Sequence, residues 1–281
     1  MKSNFKLAGD LEINRLGYGG MQLTGPGVFG EVADRPNAIK VLQSAFSDGV
    51  NFIDTADSYG PHTNEVLISE ALFPFKEKKL VIATKGGFER AGPGQWSMNG
   101  KPEYIRDAIE GSLKRLRVDT IDLWQLHRID PHYPVEDTLA PVEKAVKAGK
   151  IRHVGLSEVG IKEIERAQKV VPIVSVQNLY NLANRQWEEV VEYTRSRGIA
   201  FIPWFPLASG PNRMAGQVQN MAKAHEASVA QIALAWLLRR AENILLIPGT
   251  KSLLHLRENL DAAKIELSDE EFKSLSKVGL H

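Results

Sequence analysis

The sequence contains no cysteine. This absence excludes disulfide bonds, thiolate metal sites, iron–sulfur clusters and a cysteine nucleophile, so any chemistry must come from other side chains. Long apolar runs are missing too: the longest, 232–238, has seven residues and ends at Arg239 and Arg240, whereas a membrane-spanning helix needs about 20. The first residues carry no apolar stretch of the kind that a signal peptide requires. We therefore expect a soluble, cytoplasmic protein.

The sequence also lacks an excess of charge of either sign. Its 281 residues include 35 Lys and Arg against 34 Asp and Glu, a formal net charge of +1. Such a chain has no overall field that would attract a polyanion, so nucleic acid is not an expected partner. With 43% hydrophobic residues, the chain can bury the core of a globular protein. We expect a monomer that acts on a small molecule and does not bind a membrane.

Short apolar segments alternate with longer segments of helical spacing along the whole chain. The predicted strands are 16–19, 50–54, 80–84, 120–126, 151–156, 173–177, 199–203 and 244–247. The predicted helices are 35–48, 64–72, 102–116, 135–148, 161–169, 184–197, 219–240 with a break near Ser228, and 252–262. Eight strands that alternate with helices predict a parallel sheet closed into a (β/α)8 TIM barrel. Because no linker or change of composition divides the chain, we expect one domain over residues 1–281.

Several familiar ligand-binding motifs are absent. The glycine-rich stretch 17–22 ends in Gln22 and opens no helix, so it fails as a dinucleotide-binding fingerprint. The sequence has no phosphate-binding loop, zinc-protease helix motif, hydrolase nucleophile elbow or EF-hand. Its seven histidines show no clear metal-ligand spacing. No metal site is expected. Two longer loops, 86–101 and 207–217, follow strands and so belong to the face of a parallel barrel that carries catalysis.

Polar side chains end three neighbouring predicted strands. Asp54 ends the second strand, Lys85 follows the third and His127 follows the fourth, while Tyr59 comes five residues after Asp54. A buried charge needs a partner, so we expect Asp54 and Lys85 to pair. Taken singly, the aspartate also fits a helix cap, the lysine a solvated strand end and the histidine a satisfied core residue. Their coincidence at one end of adjacent strands favours a catalytic group.

These four residue types fit carbonyl chemistry. A tyrosine phenol has an ordinary pKa of about 10, and a neighbouring lysine ammonium favours its ionised form and lowers that pKa. The aspartate would hold the lysine, and a neutral histidine would orient the carbonyl oxygen as negative charge develops on it. Such a site has a proton donor but neither a metal nor a nucleophile. It therefore needs an external hydride source, which points to a nicotinamide cofactor.

The chain resembles the aldo-keto reductase superfamily over nearly its whole length. The matching motifs are 54–60, 84–85, 126–127, 154–157, 177–181 and 247–250. The resemblance implies a (β/α)8 barrel that binds NADP(H) across its carboxyl-terminal mouth and reduces an aldehyde or a ketone. It also implies a catalytic tetrad in which Tyr59 is the general acid and Asp54, Lys85 and His127 assist it.

The same resemblance implies where the nicotinamide half of the cofactor lies. Gly20, Met21 and Asp54 would approach the ring. Ser157 and Gln177 would hold its carboxamide, and Trp204 would stack on it. Leu207, Ser209 and Gly210 would contact the pyrophosphate.

The segment after the eighth predicted strand would hold the adenosine half. The residues implied by the resemblance are Gly249, Lys251, His255, Arg257, Glu258 and Asn259. Independently of the resemblance, a Thr-Lys-Ser sequence at a helix start offers N–H groups, a hydroxyl and a cation to an anion. This favours NADPH over NADH, because only NADPH carries a 2′-phosphate. The segment also fits a plain solvated helix face.

The chain departs from the family pattern at two places. Many members have Asn after the serine that Ser157 matches, whereas this chain has Glu158. An ionised carboxylate accepts hydrogen bonds but cannot donate them. We therefore expect Glu158 either to turn away or to favour the positively charged oxidised nicotinamide. The loop after Leu207 is also short, which predicts a less tightly covered cofactor and faster exchange.

The substrate would lie above the tetrad between loop residues. The residues implied as its walls are Tyr59, Phe88, Trp96, His127 and Arg128, with Met21 or Gln22 beside them. Arg128 would favour a carboxylate or phosphate on the substrate, or would pair with Asp130 and touch no ligand. The first and last motifs are similar to a bacterial branch of the family that includes pyridoxal reductases.

Two alternatives stay open at this point. A slow-turnover NADPH-binding regulatory module, as in the potassium-channel β subunits that share the implied fold, would keep the cofactor residues with little or no turnover. A barrel glycosidase would use Asp54 with a second carboxylate at a strand end. No second carboxylate ends a predicted strand at that face, and Lys85 would neutralise Asp54.

Overall fold

The computed structural model describes residues 4–206 and 216–278. Its strands are β1 Asn4–Leu7, β2 Leu11–Asn14, β3 Tyr18–Gly19, β4 Phe52–Asp54, β5 Val81–Gly86, β6 Phe88–Gly92, β7 Gln95–Met98, β8 Ile121–Leu126, β9 Ile151–Ser157, β10 Ile173–Gln177 and β11 Ala200–Phe201. Its helices are α1 Arg35–Ser47, α2 Thr63–Leu72, α3 Pro102–Leu116, α4 Val135–Lys147, α5 Ile161–Ala167, α6 Glu188–Ser196, α7 Gly216–Ala224, α8 Val229–Arg240, α9 Leu253–Asp261 and α10 Asp269–Leu275.

The central sheet has seven parallel strands in the order β11-β10-β9-β8-β5-β4-β3. The two edges are joined by the segment 244–246, which bridges in parallel from Ile244 to Phe201 and from Leu246 to Leu16. The amide N–H of Leu246 donates to the carbonyl of Arg15 at 2.7 Å and that of Leu245 to the carbonyl of Phe201 at 2.9 Å. This segment is the predicted eighth strand, reduced to isolated bridges. The predicted (β/α)8 barrel is confirmed.

A hairpin made by β1 and β2 plugs one end of the barrel. Its apolar side chains Leu7, Leu11 and Ile13 are buried in one cluster with inward-facing strand residues such as Phe52 and Leu123. Fully burying a side chain of this kind contributes about 1.5–3 kcal/mol. The hairpin was not predicted, because its strands are too short for their alternation to stand out. The open end of the barrel is therefore the carboxyl-terminal one.

Side-chain caps fix where several outer helices begin. Asp34 accepts from the amide of Asn37 at the start of α1, and Ser228 forms a capping box with Gln231 at the start of α8. The second cap splits the predicted helix 219–240 into α7 and α8, as the expected break near Ser228 indicated. None of the helices in the described ranges is long and apolar enough to cross a membrane.

Helix α6, helix α10 and the β6–β7 hairpin differ from the predicted pattern. Helix α6 begins four residues later than predicted, because the side chain of Asn181 accepts from the amides of Ala183 and Asn184 and closes a turn instead. Helix α10 was not predicted. The predicted loop 86–101 contains an antiparallel hairpin, β6–β7, in which Phe88 pairs with Met98. Because this hairpin follows β5 directly, it stands beside the open end of the barrel.

Candidate active site

A pocket of about 640 Å³ occupies the carboxyl-terminal mouth of the barrel. Strand ends, the β6–β7 hairpin and the segment before α9 all contribute to its wall. The predicted site residues on that wall are Met21, Asp54, Tyr59, Phe88, Trp96, His127, Arg128, Ser157, Gln177, Trp204 and Gly249. Asp54 is the only carboxylate among its described lining residues. A glycosidase pair is therefore not assembled here.

Asp54 and Lys85 form a buried ion pair under this pocket. Strands β4 and β5 are neighbours, and Lys85 Nζ lies 2.5 Å from Asp54 Oδ1 and 2.9 Å from the carbonyl of Thr55. The second carboxylate oxygen accepts from the side-chain amides of Gln125 at 3.1 Å and Gln177 at 2.9 Å. Burial alone lowers the pKa of Lys85, but Asp54 and Tyr59 outweigh it and raise that pKa above its ordinary value. The lysine is therefore a fixed cation, although 0% of it is exposed.

The Tyr59 hydroxyl lies on the pocket side of this pair, 3.4 Å from Lys85 Nζ. Burial raises the pKa of Tyr59, the charge of Lys85 lowers it in part, and Asp54 raises it again. The expected lowering of the Tyr59 pKa is thus wrong for the protein without ligands, because burial outweighs a lysine whose charge Asp54 already balances. The phenol stays protonated at neutral pH and keeps a proton to donate.

His127 lies across the same corner of the pocket. Its Nδ1 is 3.3 Å from the hydroxyl oxygen of Ser58, and its ring stands edge-on to Tyr59 with centroids 5.9 Å apart. Burial, followed by the charges of Lys85 and Arg128, lowers the pKa of His127 well below 6.5. The imidazole is therefore neutral, as the chemistry of an orienting histidine requires.

A second buried group, which was not predicted from the sequence, lies next to the tetrad at the residue before Lys85. Glu65 on α2 accepts from the Thr84 hydroxyl and from Arg115 Nε, both at 2.6 Å. Nearby, burial and then the charge of Glu65 raise the pKa of Asp57 well above its ordinary value. The burial of Glu65 could have been predicted from its spacing, because it lies three residues before the buried Ile68 and so on the apolar face of α2.

The loop after β3 is held against α2. Asn64 donates to the carbonyls of Gly20 at 2.9 Å and Leu23 at 3.0 Å. A Cβ at Gly20 would come within 2.6 Å of Asn64 Oδ1, so only glycine fits there. Gly20 is buried behind the wall rather than on it, while the next residue, Met21, lines the pocket and is 41% exposed.

Ser157 and Gln177, the predicted carboxamide ligands, are already linked to the tetrad and to Arg128. The Ser157 hydroxyl donates to the Gln177 carbonyl at 2.7 Å and accepts from Arg128 Nη1 at 2.9 Å. The alternative in which Arg128 pairs with Asp130 is wrong, because Asp130 accepts from the amide of Gly100 and from His132 instead. Arg128 faces the pocket.

Glu158 is bound to the predicted stacking residue. Its Oε1 accepts from Trp204 Nε1 at 2.6 Å and from the amide of Leu179 at 2.5 Å. The residue adopts a left-handed φ of 54° directly after β9, which aims its side chain at the next strand ends. Glu158 is not itself among the described residues that line the pocket, and its expected preference for oxidised nicotinamide stays a prediction.

The predicted adenosine residues lie beyond Gly249, along α9. The side chain of Ser252 caps this helix by accepting from the amide of His255. Lys251, His255 and Arg257 are exposed, Glu258 is half-buried and Asn259 is buried. None of these three exposed side chains forms an ion pair with another described residue. The predicted pyrophosphate ligands Leu207, Ser209 and Gly210 lie outside the described residues.

Known proteins share both the sequence and this architecture. The sequence profile of the aldo/keto reductase family matches residues 15–279. The chain is 48% identical to an uncharacterised oxidoreductase of Schizosaccharomyces pombe over 272 residues, which cover 96% of this chain and 88% of that protein. It is 40% identical to the pyridoxine 4-dehydrogenase of Escherichia coli over 284 residues, which cover 99% of each.

A crystal structure gives the same relationship in three dimensions. An aldo/keto reductase from Klebsiella pneumoniae, in complex with NADP and acetate, is 26% identical and superposes with a TM-score of 0.84, over 99% of this chain and 96% of that one. The barrel, the pocket at its carboxyl-terminal mouth and the family match over residues 15–279 agree. This chain belongs to the aldo/keto reductase family.

Proposed function

We propose that this protein uses NADPH to reduce an aldehyde or a ketone to the alcohol, with Tyr59 as the general acid and residues 1–281 forming one domain. One observation carries the proposal: the Tyr59 hydroxyl lies at the pocket wall, 3.4 Å from a lysine that is fully buried and paired with Asp54. A buried ion pair in contact with a phenol at a pocket wall favours a chemical role, because burying two charges is costly.

The residues around the tetrad fit a nicotinamide cofactor. Trp204 offers a flat apolar surface on the pocket wall, and Ser157 and Gln177 offer polar atoms beside it. The exposed cations Lys251 and Arg257 on the approach to the pocket suit a phosphate. The Klebsiella pneumoniae relative was crystallised with NADP. When bound, NADPH supplies the hydride equivalent.

Side chains of this protein donate the proton, stabilise the phenolate that remains and orient the carbonyl. Tyr59 gives its proton to the carbonyl oxygen of the substrate as negative charge develops there. Lys85 then stabilises the phenolate that remains, since its own charge is fixed by Asp54. The neutral His127 can donate a second hydrogen bond to the same oxygen and hold the carbonyl in place. Solvent returns the proton to Tyr59.

An aromatic aldehyde suits the substrate side of the pocket. The rings of Phe88 and Trp96 stand edge-on with centroids 5.3 Å apart, and Phe88 approaches His127 at 4.7 Å. Such rings pack well against another planar ring. Pyridoxal is the named candidate, because the Escherichia coli relative is a pyridoxine 4-dehydrogenase. Arg128, which also lines this pocket, favours substrates that carry an acceptor or a negative group.

A carbonyl panel tests the proposal. Pyridoxal, 4-nitrobenzaldehyde and propanal would be assayed with NADPH and with NADH in parallel. We expect steady-state oxidation of NADPH with the aromatic aldehydes and a lower KM for NADPH than for NADH. Cofactor binding without turnover of any carbonyl would instead support a regulatory module of the potassium-channel β-subunit type.

A further inference from the structure

Arg90 joins three separate parts of the pocket rim. It lies on β6, and within its own hairpin its Nε donates to the carbonyl of Gln95 at 2.9 Å. Its Nη2 donates to the carbonyl of Gly27 at 2.7 Å and its Nη1 to that of Val28 at 2.9 Å, both in the loop after β3. The same Nη1 donates to the carbonyl of Ser58 at 2.9 Å, next to Tyr59. One side chain thus ties the hairpin to two other loops.

The plane of this guanidinium also covers the indole of Trp96. Arg90 Cζ lies 3.6 Å from the ring centroid of Trp96, well inside the distance at which a cation is attracted to an aromatic face. The covered ring stands at 85° to Tyr59, with centroids 6.5 Å apart. Because Arg90 occupies one face of Trp96, a ligand in the pocket can contact only its other face and its edge.

Arg90 has no carboxylate partner in residues 4–206 and 216–278. Its hydrogen bonds all go to backbone carbonyls, and both Arg90 and Trp96 are half-buried at the rim. A planar fork with five N–H donors can reach several carbonyls and stack on a ring at the same time, whereas a lysine ammonium has three donors on one nitrogen and no planar face with which to stack. The arrangement therefore depends on arginine itself.

We propose that Arg90 is a positioning residue that holds Trp96 as a rigid aromatic wall and so selects planar aromatic aldehydes over aliphatic ones. The proposal rests on the proposed function. A ring that is already held in place loses little conformational entropy when a ligand binds. Its contact with the ligand therefore contributes more to affinity than the contact of a mobile ring would. Phe88, packed edge-on against Trp96, completes this wall. An aliphatic aldehyde gains little from it, because it has no ring to pack there.

The test compares Arg90→Lys with wild type on 4-nitrobenzaldehyde and on propanal. We expect the KM for 4-nitrobenzaldehyde to rise about tenfold, because Trp96 loses both its cation–aromatic contact and the hydrogen-bonded arginine that holds it. The kcat for both aldehydes, the KM for propanal and the affinity for NADPH should change less than about twofold. Trp96→Ala should give the same selective loss, and the double variant should lose no more than Trp96→Ala alone.

Arg185→Lys is the matched control. Arg185 Cζ also lies over a tryptophan, 4.7 Å from the ring centroid of Trp236, and neither of these residues is among the described ones that line the pocket. This variant changes the ion pair of Arg185 with Glu188 as well as the arginine–indole contact, so it shows how far a loss of melting temperature by itself affects kinetics, and it should leave the ratio of the two KM values unchanged. A ratio that Arg90→Lys also leaves unchanged, or a loss that adds fully to that of Trp96→Ala, would overturn the proposal.

A binding measurement separates this proposal from the proposed function. Calorimetry with 4-nitrobenzyl alcohol needs no turnover and should show the same tenfold weakening in Arg90→Lys. If wild type binds the alcohol and Arg90→Lys binds it more weakly, Arg90 holds the aromatic wall for ligand binding, whether or not the protein reduces aldehydes. If wild type reduces the aldehyde and the variant binds the alcohol equally well, the role of Arg90 fails while the proposed function stands.

Discussion

The tetrad and the two tryptophan walls of the pocket are held in different ways. Lys85 and Asp54 lie at the ends of barrel strands, almost fully buried, and are fixed by a network of short hydrogen bonds. Trp96 and Trp204 lie on connecting segments at the rim, and each is fixed by one ionic side chain, Arg90 or Glu158. The barrel strands thus fix the reacting groups, whereas single charged residues on the β6–β7 hairpin and after β9 fix the surfaces that select ligands. Changes to the tetrad should lower kcat, and changes to the walls should alter binding.

The largest effect is expected for Lys85→Met. The phenolate left on Tyr59 would lose its cation, and Asp54 would be a buried carboxylate without a charge partner. We expect kcat to fall about 10³-fold, within the range of one group in acid–base catalysis, while NADPH still quenches tryptophan fluorescence. Lys147→Met, at an exposed ion pair on α4, is the control. A kcat within tenfold of wild type would contradict the role of Lys85.

An intermediate effect is expected for Glu158→Ala. Trp204 would lose the carboxylate that accepts from its Nε1, and a hydrogen bond to a charged acceptor is worth about 1.5–3 kcal/mol. We expect the dissociation constants of NADPH and NADP⁺ to rise about tenfold together, with kcat little changed. Glu158→Gln, which keeps an acceptor, should retain most of the affinity. If only NADP⁺ binding weakens in Glu158→Gln, the charge of Glu158 rather than the orientation of Trp204 is what matters.

A smaller and selective effect is expected for Lys251→Ala. The 2′-phosphate of NADPH would lose an exposed cation, so we expect its dissociation constant to rise up to tenfold. That of NADH should not change. Fluorescence titration with both cofactors measures the difference, with Lys264→Ala, in the turn that follows the carboxyl end of α9, as a control. Equal weakening of NADPH and NADH would remove Lys251 from the phosphate site.

The smallest effect concerns stability against pH. The folded protein keeps His127 neutral, whereas the unfolded chain takes up a proton below about pH 6.5. Unfolding therefore binds a proton there, so the free energy of unfolding falls as the pH falls below 6.5, by at most about 1.4 kcal/mol per pH unit from this residue. Denaturant titrations between pH 5 and 7 should show a shallower fall in His127→Gln. Identical slopes would mean that His127 is protonated in the fold.

The candidate catalytic residues could be predicted from the sequence where they stand at the end of a strand. Asp54, Lys85 and His127 each end a short apolar run, and parallel strands bring such ends together. The alternation of strands and helices likewise predicted the barrel. The hairpin β6–β7 was not predicted, although its turn at Pro93 is a recognisable signal.

Contacts between distant loops could not be read in this way. Glu158 and Trp204 are 46 residues apart, and Arg90 reaches back 62 residues to Val28. No periodicity relates such positions, so these contacts can be seen only in the folded barrel, where the segments lie next to each other. The pKa of Tyr59 was misjudged for a related reason: the charge of Lys85 was visible in the sequence, but the degree of burial was not.

The direct test of Tyr59 as the general acid is a single-turnover measurement on Tyr59→Phe. NADPH would be bound first, 4-nitrobenzaldehyde added, and the loss of absorbance at the reduced nicotinamide followed, with Tyr193→Phe on α6 as the control. The account predicts unchanged NADPH binding and a reduction step slowed about 10³-fold, because the substrate oxygen has lost its proton donor. A reduction step as fast as that of wild type would contradict it.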